Sequence, residues 1–170
     1  MAEEDVDLVL EWRNSDRVRT KMFEHHLIAK EDHVRWFKSL EGNLRQKCWM
    51  FLYQRKPIGV ITVKLVDEQS DTWIWGCYLG PMKAVPQAGT IMGFVALEHY
   101  FETMKLKKVI GEAVAANERS LEFNARLGFA TEKKFLRTNS MGQPIEAVLL
   151  TFLRQDWPAH KERLLKHCFA

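Results

Sequence analysis

Gln87, Ala88, Gly89, Thr90, Ile91 and Met92 stand where a strand-like run gives way to a helical one, and such a junction can hold a phosphate. A helix start leaves several backbone N–H groups unpaired and carries partial positive charge. A glycine there lets the backbone approach a ligand closely. The plain alternative is an ordinary connection that uses Gly89 only to turn. Two groups could take up a proton. His33 does so by residue type, since an unperturbed imidazole titrates near ~6.5; its alternative is a helix-face residue bonded to backbone. Glu112 interrupts the apolar run 109–114 and shares a face with Ile110 and Val114; its alternative is a carboxylate paired with a neighbouring Arg or Lys. Arg13, Arg17 and Arg19 could grip a diphosphate through bidentate bonds, Arg13 first among them, or simply form a solvated helix face.

Composition removes several other chemistries. Hydrophobic residues make up 46% and charged residues 28% of 170, the profile of one globular domain with a full core. The formal charge of +3 suits an anionic ligand but is far from the dense basic stripe of a nucleic-acid binder. No apolar run approaches the ~20 residues that span a bilayer. The acidic start, Met1 through Asp7, has no secretory pattern, so a cytoplasmic location is expected. Cys48, Cys77 and Cys168 lie far apart and form no metal or disulfide framework, and Cys77 reads as a small buried residue. No metal is expected.

The elements that must position these groups follow from periodicity. Residues 5–13 are helical, 17–23 extend them as a short helical piece, and 29–40 form a helix with His33, Trp36, Phe37 and Leu40 on one face. Strands at 49–54 and 58–66 flank a turn at Arg55, Lys56 and Pro57. A third strand at 72–79 ends at Gly80 and Pro81, completing an antiparallel meander; Trp73 and Trp75 face away from Ile74. Ile91, Phe94, Leu97, Phe101 and Met104 mark an amphipathic helix. A strand at 107–114 follows, then a helix at 118–127 that Gly128 stops, and strands near 129–138 and 145–154. Residues 158–169 read as a docked or frayed terminal helix. The order is that of a mixed α/β sheet, not a repeated βαβ winding.

Asn117-Glu118-Arg119-Ser120, then Phe123-Asn124, then Leu127-Gly128-Phe129 resembles the Asn-x-x-(Ala/Ser)…Gly-Phe segment of the GCN5-related N-acetyltransferases. The order of elements is similar over nearly the whole chain. The resemblance implies a mixed, mostly antiparallel sheet whose fourth and fifth strands splay apart for the pantetheine arm of acetyl-CoA, and a first strand that is short or missing here. It implies that residues 87–92 bind pyrophosphate through backbone N–H groups. Cys77, Tyr78 and Leu79 match the edge that pairs with pantetheine, with a backbone amide at Leu79 polarising the thioester carbonyl. Asn117, Ser120, Phe123 and Asn124 match cofactor-contacting positions. Two departures stand out: Pro86 and Ile91 occupy the first and last positions of the usual loop pattern. Asn124 falls where many members carry a Tyr that protonates the leaving thiolate, which Asn cannot do.

Leu10-Glu11-Trp12-Arg13-Asn14, Met22-Phe23, His33 and Trp36 look like the subgroup that acetylates the 4-amino group of a UDP-linked 4-amino-4,6-dideoxy sugar in pseudaminic acid biosynthesis, which supplies flagellin glycosylation. Ile58-Gly59-Val60 and the run at 75–81 fit it too. That resemblance implies Arg13, Met22, Phe23, His33, Trp36 and Tyr78 around a nucleotide-sugar acceptor, with Met22 and the aromatics against uracil or the sugar, or in the core. It implies direct transfer in a ternary complex by a monomer or homodimer. The alternatives are another acceptor (a ribosomal protein, a peptide N-terminus or an aminoglycoside) or a CoA-binding module without catalysis.

Overall fold

The computed structural model describes residues 1–80 and 85–169, with side chains to His167. Pro81 and the Cys168 side chain lie outside what is described. The chain runs α1 (Val6–Asn14), α2 (Asp16–Arg19), α3 (Lys30–Lys38), β1 (Gln46–Tyr53), β2 (Lys56–Asp67), β3 (Thr72–Leu79), α4 (Ala88–Glu98), β4 (Lys108–Val114), α5 (Glu118–Leu127), β5 (Ala130–Thr138), β6 (Pro144–Leu153) and α6 (Trp157–Phe169). The six strands form one sheet in the order β1-β2-β3-β4-β6-β5, with every pair antiparallel except β3–β4. Among the described residues no strand precedes Gln46. The two strands expected to splay are therefore the third and fourth of this chain.

Both faces of the sheet are covered. Ile61, Val63, Trp73 and Trp75 join α4, α5 and α6 in the larger core, while Val60 meets Val9 and Trp12 of α1 in a smaller one. α6 is docked: Trp157 is buried and donates to Glu102 at 2.9 Å, and Lys161 pairs with Glu98 and Glu102.

Three boundaries differ from the sequence reading. The β1–β2 turn is Gln54-Arg55, both at positive φ (48° and 64°), a left-handed pair whose twist matches that of the strands it joins. Lys56 and Pro57 already belong to β2, where Pro57 opposes Leu52 beside a register shift. α2 covers only Asp16–Arg19. The loop after it is stitched instead by side chains, with Asn14 exchanging two bonds with Ile28 and Arg19 donating to the His25 carbonyl. α4 stops at Glu98, and a π turn over His99–Thr103 places Tyr100 and Phe101 side by side in the core.

The feature that positions the site is the divergence of two central strands. β3 stays paired with β2 to Leu79, and β4 stays paired with β6 to Val114, yet β3 and β4 pair only over Thr72–Ile74. Beyond Ile74 and Ile110 they part.

Candidate active site

A cleft of about 1370 Å³ runs from the start of α4 through the gap between β3 and β4 to the face of α1 and α3. At its first end the backbone is built for an anion. Gln87 holds a left-handed conformation (φ 59°), and α4 follows at once. Such a reversal turns successive N–H groups into one concavity. Ala88 N–H bonds the Val85 carbonyl at 3.1 Å, whereas those of Gly89 and Thr90 find no partner among the described residues. A Cβ on Gly89 would stand 3.8 Å from Phe123 and 3.9 Å from Leu79, ordinary contact distances. The fold itself does not need that glycine.

The middle of the cleft is a strand edge. Gly80 N–H donates to the Ile58 carbonyl, so alternation along the antiparallel pair turns the peptide groups of Leu79, Cys77 and Trp75 toward the gap. The N–H and C=O groups of Cys77 and Leu79, beyond the last β3–β4 pair, are available to an extended, amide-bearing chain. Cys77 is no nucleophile here, because burial pushes its thiol up to about 12. Burial also raises the Tyr78 phenol, which therefore stays a neutral hydrogen-bonding group. Asn117 caps α5, its Oδ1 accepting from Ser120 N–H at 3.2 Å. Gly128 ends the helix at φ 115°. Phe123 and Asn124 also line the cleft, and so does Ile91's neighbour Met92, a fully buried core residue.

The third region carries charge. Arg13 donates from Nη2 to the Glu24 carbonyl at 2.7 Å, while its Nη1 is buried with no partner. An unpaired buried donor on a cation is costly, so this guanidinium calls for an anionic or carbonyl oxygen. Arg17, Lys21, Met22, Phe23 and Trp36 line the same stretch. Arg19 points elsewhere, bonded to the His25 carbonyl and Asp16.

The two expected proton acceptors fare differently. His33 is 4% exposed, and its Nε2 lies 3.1 Å from the Val6 carbonyl. Its ring rests 5.0 Å from that of Trp36, and burial holds its pKa below the ordinary histidine value. The bond cross-links α3 and α1, as the backbone-bonded alternative expects, and His33 also lines the cleft. Folded His33 resists protonation, whereas the unfolded residue takes a proton near pH ~6.5. Its contribution to stability is therefore complete above that pH and lost on acidification below it. His33→Gln should flatten the fall in thermal stability between about pH 7 and pH 5 and leave turnover within about threefold. A residual slope is expected from His160, whose pKa burial also lowers.

Glu112 lies on the cleft wall and forms a short ion pair with Arg137, whose guanidinium sits 4.6 Å from the Phe23 ring centre. Glu24 in turn accepts from the backbone N–H and hydroxyl of Ser140. These contacts tie the α2–α3 loop to the β5–β6 hairpin and frame that end of the cleft. Arg137, Glu24 and Ser140 escaped sequence reading, since contacts across more than a hundred residues leave no periodic trace. Among the described residues no group of three or more His, Cys, Asp or Glu is placed to hold a metal ion, and no helix is long and apolar enough to cross a membrane.

The family described as acetyltransferase (GNAT) domain matches residues 1–130. The sequence matches no curated protein. Among solved structures, a candidate acetyltransferase from T. thermophilus superposes with a TM-score of 0.80 at 20% identity, covering 99% of this chain and 91% of that one. A GCN5-related N-acetyltransferase from Brucella melitensis gives 0.78 at 18% identity, covering 98% and 78%. Spermidine N-acetyltransferase from Vibrio cholerae, in complex with CoA and spermine, gives 0.83 at 12% identity, covering 93% and 95%. These likenesses establish the α/β fold, with its mixed six-stranded sheet flanked by helices.

Proposed function

Since this chain belongs to the GNAT acetyltransferase family and is an acetyl-CoA-dependent N-acetyltransferase, we propose that its acceptor is a small amine that also carries phosphate, namely a UDP-linked 4-amino-4,6-dideoxy sugar of the pseudaminic acid or a related nonulosonate route. The observation that carries this reading is Arg13, with one guanidinium nitrogen buried and unpartnered at the acceptor end. Arg17 and Lys21 add positive charge beside it. Asp32, Glu112 and, at its edge, Glu24 are the acids of that stretch; Glu112 is paired with Arg137 and Glu24 is bonded to Ser140. A polycation such as the spermine of the Vibrio cholerae complex would meet net positive charge here.

The chain's residues fit the cofactor. Bound acetyl-CoA would supply an acetyl group activated as a thioester. The N–H groups of Gly89 and Thr90, after the left-handed Gln87, would hold its pyrophosphate. Cys77 and Leu79 would pair with its amide-bearing arm, and Leu79 N–H would donate to the acetyl carbonyl oxygen as negative charge gathers there. Arg13, Met22, Phe23, Trp36 and Tyr78 would hold the acceptor with its amine toward the gap. With His33 bonded to Val6, Glu112, paired with Arg137, would take the proton that the amine loses.

A panel of amines mixed with acetyl-CoA, followed by thiol release, tests the reading. The UDP-amino sugar should turn over fastest. Arg13→Gln should raise its KM about tenfold or more and change KM little for the sugar without the nucleotide. Faster turnover of spermidine or a peptide amine than of the UDP-sugar would overturn it.

A further inference from the structure

The segment that joins α2 to α3 has no ladder of its own. Among the described residues, residues 23–28 make no backbone–backbone hydrogen bond. Side chains take up their carbonyls instead: Arg13 Nη2 donates to Glu24 at 2.7 Å, Arg19 Nη1 to His25 at 2.6 Å and Asn14 Nδ2 to Ile28 at 2.9 Å. Whatever fixes the Glu24 carbonyl therefore also fixes the Arg13 guanidinium that it holds.

The Glu24 side chain is docked on the tip of the β5–β6 hairpin, 116 positions further along the chain. Its two oxygens accept from Ser140 N–H at 3.1 and 3.2 Å, and one of them also accepts from the Ser140 hydroxyl. These bonds, the hydroxyl's first, hold the Glu24 carboxyl below the ordinary glutamate range. The other charged groups that act on it are His26, with Nδ1 at 3.9 Å, and Arg137. The hairpin tip is tied to itself. Asn139 is 5% exposed; its Oδ1 accepts from the N–H groups of Met141 and Gln143, and its carbonyl accepts from Gly142. Asn139 N–H donates to the Gln143 carbonyl. Of the five N–H groups at 139–143, only that of Ser140 is left for another segment, and Glu24 takes it. Glu24 is thus held at two points, by its carbonyl to Arg13 and by its carboxylate to the hairpin.

We propose that Glu24 is a positioning residue for Arg13: docked on Ser140, it fixes the carbonyl that holds the guanidinium, and so sets the affinity for the acceptor's phosphate without touching the acceptor. This rests on the acceptor reading above. A guanidinium whose orientation is already fixed loses less freedom when an anionic oxygen reaches it, and the saving appears as affinity. The carboxylate itself would repel a phosphate, so its charge works against binding while its grip on the hairpin works for it. That opposition separates the two roles experimentally.

Titration calorimetry with UDP reads this without any turnover. UDP should bind the unmodified protein, and Arg13→Gln should weaken it about tenfold. Glu24→Ala removes the docking but keeps the backbone carbonyl that Arg13 uses; it should weaken UDP about fivefold. Ser140→Ala, which loses the hydroxyl and keeps the N–H, should weaken it about twofold to threefold. Glu24→Gln can still accept from Ser140 and should bind UDP at least as well as the unmodified protein. With Arg13→Gln already present, Glu24→Ala should add less than about twofold. Acetyl-CoA affinity, which none of these changes should alter, shows that each variant is folded. Full UDP affinity in both Glu24→Ala and Ser140→Ala, with Arg13→Gln still weak, would overturn the positioning role and leave the acceptor reading standing. So would a loss in Glu24→Gln equal to that in Glu24→Ala, or an undiminished effect of Glu24→Ala beside Arg13→Gln. UDP binding that is absent, or that Arg13→Gln does not weaken, would overturn the acceptor reading and the positioning role with it.

Discussion

Glu112→Gln is expected to lower kcat by about a hundredfold, the usual contribution of a well-placed proton acceptor, with acetyl-CoA affinity unchanged. The carboxylate sits on the cleft wall, 20% exposed, with one oxygen engaged by Arg137. The amide is nearly the same size and still reaches Arg137, so the acceptor frame built from Arg137 and Phe23 stays in place. The Arg137 side chain is 40% exposed and remains solvated without its charged partner, so stability should change little. Steady-state kinetics with calorimetric acetyl-CoA binding separates the outcomes. A kcat that is unchanged would remove Glu112 from proton transfer. An equal loss of cofactor affinity would make it a binding residue.

Gly89→Val should leave the fold intact and weaken acetyl-CoA binding at least tenfold. Among the described residues a Cβ at this position meets only Phe123 and Leu79, at van der Waals distance. The backbone needs no left-handed conformation there, because that role falls to Gln87. What the branched side chain would cover is the approach to the N–H groups of Gly89 and Thr90, which find no partner among the described residues. Differential scanning calorimetry should show a midpoint within about 4 °C of the parent. Unchanged affinity would mean that the anion sits elsewhere. Gly93 offers the contrast: a Cβ there would lie 2.5 Å from the buried Leu127, so an equivalent change acts on the core.

What sequence could disclose was the locally coded part. Asn117 before an amphipathic run and Gly128 after it bound α5 because a cap and a left-handed stop are chemistry within a few residues. The helical pattern around Phe94 and Leu97 was equally clear, although the π turn after Glu98 was not, since nothing in His99–Thr103 announces a wider turn. The β1–β2 turn was misplaced because Lys56-Pro57 has turn composition, whereas Gln54-Arg55 turns through backbone conformation that those side chains do not favour.

The site divided in the same way. Arg13 was legible as an anion-binding type, but its unpaired Nη1 depends on the Glu24 carbonyl occupying the other nitrogen. His33 was read by type as a base, and only the fold shows Val6 claiming its ring. Glu112 marked itself as the one charge in the apolar run 109–114, yet its partner Arg137 lies 25 positions away on β5.

Acetyl transfer to the sugar amine is the central reaction, and mass spectrometry of the acceptor observes it directly. Incubation of the protein, acetyl-CoA and the UDP-linked 4-amino-4,6-dideoxy sugar should add one acetyl group to the sugar's amine, with one CoA thiol released per acceptor modified. Acetyl-CoA that stays intact beside that sugar while another amine is acetylated would contradict the proposed acceptor.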